Sequence, residues 1–183
     1  MGLDITAYSR LKHVGKHKKD PELNEGEPGG LDDYCYYEDH VEAYAYDGFP
    51  QSFRGIPVIG TKLVGHGERE FLQGGCYSVT PETVTHRFHA GSYGGYNLWR
   101  ADLQDQFNPQ RDSAGPFYEL IWFADNEGSI GPEAAADLLA DFREHAERYK
   151  PGEGEYESYF TAKYANWTRA FELAADSGLV HFH

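Results

Sequence analysis

His89-Ala90-Gly91-Ser92-Tyr93-Gly94-Gly95-Tyr96-Asn97-Leu98-Trp99-Arg100 is where the chain changes period. Before it, Val84 to Phe88 reads as a strand. After it, Tyr96, Trp99, Leu103 and Phe107 recur at helical spacing, with Pro109 beyond them. The stretch is therefore a strand-to-helix turn, and it predicts a helix over 96–107. Gly91, Gly94 and Gly95 allow positive φ and a close approach to a ligand. The first amides of the helix have no partner within it, and with the helix dipole they suit a phosphate or carboxylate.

The same stretch holds the candidate ligand-binding set. Arg87 and His89 share a face of the preceding strand and, with Arg100, supply positive charge. Tyr93, Tyr96 and Trp99 offer rings for stacking or for pocket walls. Gly91, Ser92, Gly94, Gly95 and Asn97 complete the loop. It has neither the Gly-Lys-Ser/Thr ending of a P-loop nor GxGxxG spacing. Gly-x-Ser-x-Gly is absent around Ser92, which argues against a serine hydrolase. A tight turn with packed tyrosines accounts for the same residues.

Working outward, Leu3, Ile5 and Ala7 alternate with Asp4, Thr6 and Tyr8, the pattern of a half-buried strand. A polar, breaker-rich loop is expected over about 12–33. Val41, Ala43 and Ala45 alternate within a second sheet region, and Asp47-Gly48 closes a turn. An irregular loop region is expected over about 49–75, with strands resuming at Cys76–Val79 and Val84–Phe88. Phe117–Phe123 is almost wholly apolar and predicts a central strand buried on both faces. Helices are expected over 132–149, entered by Pro132, and over 156–176, with Gly178 as the residue that ends the second. Leu179–Phe182 reads as a last strand. Strands come first and helices later, which predicts a single α+β domain over 1–183. Its core is a curved, mostly antiparallel sheet with about three helices on one side.

The chain carries 30 acidic against 16 basic residues, a formal charge of −14. Such a field repels DNA, RNA and anionic membrane surfaces. No run approaches the length of a membrane span, and the N-terminal stretch lacks the pattern of a secretory signal. Cys35 and Cys76 make no disulfide framework. Histidines at 86 and 89, and at 181 and 183, lack zinc spacing, so neither a metal nor another cofactor is expected. Asp125 and Glu127 flank a turn and form a secondary candidate pair, for a cation or for acid–base chemistry; as turn residues they equally suit a strand end.

Four segments together resemble a family of uncharacterised phage and prophage proteins. They are the opening Met1-Gly-Leu-Asp-Ile-Thr-Ala-Tyr8, the loop Gly91-Ser-Tyr-Gly-Gly-Tyr-Asn97 with Trp99, the turn Asp125-x-Glu127-Gly-x-Ile-Gly-Pro132, and Ala170-Phe171-Glu-Leu-Ala-Ala-Asp-x-Gly178. The resemblance spans nearly all of the chain outside the loops at 12–33 and 55–75. It implies a small accessory protein in the cytoplasm of a bacterial host, acting against host defence. No activity comes with it, and members carry Ser and Cys where Ala124 and Asn126 stand here, which argues against a nucleophile at either position.

The leading expectation is a non-catalytic protein that sequesters a small, nucleotide-like anion. Two readings compete with it. An acidic inhibitor would block a basic host defence protein as a nucleic-acid mimic, using Glu22–Asp33, Glu38–Glu42 and Glu153–Glu157. A phosphoesterase-type enzyme would use Asp125 and Glu127. Oligomeric state stays open, a homo-oligomer included.

Overall fold

The alternation of Leu3, Ile5 and Ala7 with Asp4, Thr6 and Tyr8 forms the strand it predicts, β1 (Gly2–Tyr8). The computed structural model describes residues 2–16, 40–43, 52–53, 56–57, 75–112, 114–123, 128–152 and 155–182. The other strands are β2 (Lys12–Lys16), β3 (His40–Ala43), β4 (Ser52–Phe53), β5 (Ile56–Pro57), β6 (Gly75–Ser78), β7 (Thr85–Ser92), β8 (Gly128–Ile130) and β9 (Leu179–Phe182). The helices are α1 (Tyr93–Phe107), α2 (Tyr118–Trp122), α3 (Pro132–Glu144) and α4 (Glu155–Ala174).

The main sheet is antiparallel, in the order β7-β1-β9-β8. β1 lies inside it, with Thr6 opposite Arg87 on one flank and opposite His181 on the other. A smaller sheet runs β2-β6-β3, and β4 pairs with β5. Leu3, Ile5, Ala7, Val180 and Phe182 turn one face of the main sheet toward the helices, giving the expected α+β architecture. The core between these layers is aromatic. Trp99 of α1 stacks on Trp167 of α4 at 5.8 Å and 9°, and Phe142 of α3 stacks on Trp99. The rings bury large apolar areas, and offset stacking adds about 0.5–1.5 kcal/mol for each pair.

Two polar links join these helices and the segment that follows α3. Trp99 Nε1 donates to Tyr149 Oη at 3.2 Å, and Tyr149 Oη donates to Asp102 Oδ2 at 3.2 Å. Burial, with Asp102 nearby, drives the Tyr149 pKa far above its ordinary value. Tyr164 Oη donates to the Phe142 carbonyl at 2.7 Å, and burial pushes its pKa up to about 12.

Several sequence expectations change. Phe117–Phe123 is not a central strand: Phe117 sits at φ 57° and the run continues as the short helix α2. A brief apolar run satisfies a buried helix as well as a buried strand, and periodicity cannot separate them. Lys12–Lys16, expected at the start of a loop, pairs with β6. The helix entered by Pro132 ends at Glu144 rather than 149. Gly178 does not end its helix by left-handed geometry, since Ser177 holds that conformation at φ 51°. Gly178 instead lets the chain approach β1, where a Cβ would lie 1.8 Å from the Tyr8 carbonyl oxygen. The rest of the expected loops at 12–33 and 49–75, and both Asp125 and Glu127, lie outside the described residues. Among the described residues no helix is long and apolar enough to cross a membrane.

Candidate functional site

The candidate site grows from a bulge in β7. Leu3 pairs with Gly91 and Asp4 with His89, so the register on β1 skips Ala90. A bulge takes backbone groups out of the ladder and re-aims the chain. Lys163 Nζ, from α4, donates to the Ala90 carbonyl. Gly91 follows at φ 99°, a conformation that favours glycine. Ser92 then caps α1, its Oγ accepting the Gly95 amide at 3.0 Å. The helix therefore starts at Tyr93, before the apolar spacing begins at Tyr96, and Gly94 and Gly95 fall inside its first turn.

Tyr159 gives a reason for two of these glycines. A Cβ at Gly91 would stand 2.4 Å from Tyr159 Oη, and one at Gly95 would stand 2.9 Å from it. The phenol fills the space that side chains at both positions would need. Its ring also covers Lys163, whose Nζ lies 4.6 Å from the ring centroid. Lys163 is only 4% exposed, and burial lowers its pKa to about 8. Burial raises the Tyr159 pKa.

Beside this seat lies an open cavity of about 430 Å³, lined by Gly94, Gly95, Leu98, Tyr156 and Tyr159. Leu98, Tyr156 and Tyr159 are exposed, so the wall is an uncovered apolar and aromatic surface. A second cavity, of about 480 Å³, lies by Phe107 at the other end of α1, and Glu147 lines it alongside Arg148 and Lys150. Its lining carries two cations and one carboxylate, and no glycine-rich helix start borders it.

The structure divides the sequence-derived set. Gly94 and Gly95 line the cavity, while Gly91 supplies the left-handed turn before them and Ser92 caps their helix. Tyr93 packs partly buried against the core. Arg87 and His89 are exposed on the sheet face away from the helices, and His89 Nδ1 lies 2.9 Å from Asp4 Oδ1. Tyr96 and Trp99 are fully buried in the aromatic core, so neither is a pocket wall. Arg100 is buried as well. Its Nη1 donates to the carbonyls of Ile121, at 3.3 Å, and Phe123, and its Nη2 donates to Asn97 Oδ1. It holds the end of α2 instead of facing a ligand, which corrects its expected role, and Asn97 is turned toward it.

Sequence reasoning missed Leu98, Tyr156, Tyr159 and Lys163 as residues of this site, and Tyr156, at the start of the expected helix, is 51% exposed. Lys163 did carry a signal: it follows Phe160 by three positions and precedes Trp167 by four, within a buried helical stripe. Ser129 Oγ and His181 Nδ1 approach to 3.2 Å, but Ser129 is 1% exposed and offers no access to a substrate. Among the described residues no group of three His, Cys, Asp or Glu side chains is placed to hold a metal ion. No family model, curated protein or solved structure matches the chain.

Proposed function

We propose that this protein is a non-catalytic binder of a small, nucleotide-like anionic ligand, which it takes up in the cavity between the first turns of α1 and α4. The observation that carries this reading is one juxtaposition. The Gly94-Gly95 turn at the start of a 15-residue helix borders the same cavity as the exposed rings of Tyr156 and Tyr159. Ser92 occupies the Gly95 amide, whereas the amides of Tyr93 and Gly94 have no acceptor within the helix. Helix amides attract a phosphate, and tyrosine faces attract a base. In the setting implied by the phage-protein resemblance, such a sink removes a signalling nucleotide from the host cytoplasm and so blunts host defence.

Calorimetry against cyclic dinucleotides, ADP-ribose derivatives and simple nucleoside phosphates tests the reading. Binding is expected for at least one member. Tyr156→Ala should weaken that binding by about 1–3 kcal/mol, the usual worth of stacking on one ring. Absence of heat across the panel overturns the proposal. The charge of −14 favours a second reading, an acidic inhibitor of a basic host protein. Capture of a basic partner from host lysate at low salt, with release at high salt, is the outcome that would put it first.

A further inference from the structure

We infer that Lys163 is the anion-binding cation of this site, and that a phosphorylated aromatic ligand reaches it by taking the position held by the Tyr159 hydroxyl. The inference rests on the binding reading above and names the side chain that gives the site its charge.

Three observations lead to it. Lys163 is 4% exposed and reaches from α4 under the ring of a cavity-lining residue, Tyr159. An ammonium has three N–H donors. Only the Ala90 carbonyl takes one among the described residues, while the Tyr159 ring takes the face of the cation. Finally, one point in space links the parts. A Cβ at Gly91 would lie 2.4 Å from Tyr159 Oη and 3.3 Å from Lys163 Nζ, and a Cβ at Gly95 would lie 2.9 Å from the same hydroxyl. A phosphate centred where Tyr159 Oη now sits would therefore extend its oxygens toward both the ammonium and the first turn of α1. The Tyr159 hydroxyl makes no hydrogen bond among the described residues, so no such bond opposes its displacement. A buried lysine joined to a bulge carbonyl also has a structural role, and the experiment separates the two.

The probe is pyridoxal 5′-phosphate, an aromatic phosphate that also carries an aldehyde. If Lys163 faces the cavity, its amine attacks the aldehyde carbon and water leaves. Borohydride then delivers hydride to the imine carbon, and solvent supplies the proton to nitrogen. Peptide mapping of the intact wild-type chain should find Lys163 labelled ahead of the exposed Lys150. Inorganic pyrophosphate should protect it. Labelling of Lys150 with Lys163 spared overturns the inference.

Calorimetry with the same probe gives the second readout. Lys163→Met should weaken binding by about tenfold or more, the scale of one charge-assisted hydrogen bond. Lys163→Arg, which keeps the cation, should restore most of it. Equal binding by wild type and Lys163→Met overturns the role of the lysine and leaves the cavity reading standing. No binding of this probe or of any nucleotide by wild type overturns both. Should Lys163→Met fail to fold, the wild-type labelling pattern decides.

Discussion

Asp141 shows how one side chain couples local geometry to pH. Its Oδ2 accepts the Phe117 amide at 2.7 Å and so holds the left-handed residue that starts α2. Burial raises its pKa to about 6, the Phe117 bond opposes the rise, and Glu119, Glu144 and Asp137 add to it. The folded pKa lies above the unfolded one, so this contribution to stability is complete below about pH 3.8 and is lost as pH rises through 6. Asp141→Asn keeps an acceptor for the amide and removes the charge. It should gain stability relative to wild type between pH 4 and pH 7, by on the order of 1–2 kcal/mol after allowance for partial exposure. Chemical denaturation at the two pH values measures the difference. Nothing in the sequence marks this role, because Asp141 and Phe117 meet only once α3 packs on the α2 turn. Arg100 is a similar case. Its place on the apolar side of α1 was legible from spacing to Tyr96 and Leu103, but its acceptors are backbone carbonyls of α2, which carry no sequence signature.

At the level of elements, the glycines of α1 give a paired test. Glycine within a helix costs about 0.5–1 kcal/mol relative to alanine. A Cβ at Gly94 meets nothing nearer than Ser92 Oγ at 3.9 Å, whereas one at Gly95 meets Tyr159 Oη at 2.9 Å. Gly94→Ala should therefore raise the melting temperature. Gly95→Ala should give no such gain, and it should regain part of the difference in a Tyr159→Phe background, where the hydroxyl is gone but the contact with Ser92 Oγ at 3.3 Å remains. Thermal melts of the single and double variants read this directly. The strand-to-helix turn itself was legible, because the change of period at 89–100 is a local property. The true start of α1 was not: Ser92 is a good cap by type, yet two glycines behind it look like loop. The partner of those glycines lies on α4, far along the chain, and no local pattern announces it.

For the whole molecule, the charge of −14 acts on stability without reference to any pair of residues. Net repulsion disfavours the compact state, and salt screens it. The melting temperature should rise between about 0.01 M and 0.15 M salt, as the screening length falls from about 30 Å to about 8 Å. Differential scanning calorimetry across that range checks it, and a flat response would place the charges far apart or in compensating pairs. The α+β class was legible from the order of patterns along the chain. Strand order was not, because pairing partners in an antiparallel sheet are chosen by tertiary packing. β9 is the last of the described strands in the chain yet inserts between β1 and β8.

That position sets a clock on biosynthesis. One neighbour of β1 is made only after the intervening residues 9–178 have been translated, which at elongation rates of about 5–20 residues per second takes roughly nine to thirty-four seconds. Throughout that interval Ile5 and Ala7 lack the strand that later adjoins them. The nascent chain must keep this surface from other strands, and its strong negative charge favours that by repelling neighbouring copies on the same polysome.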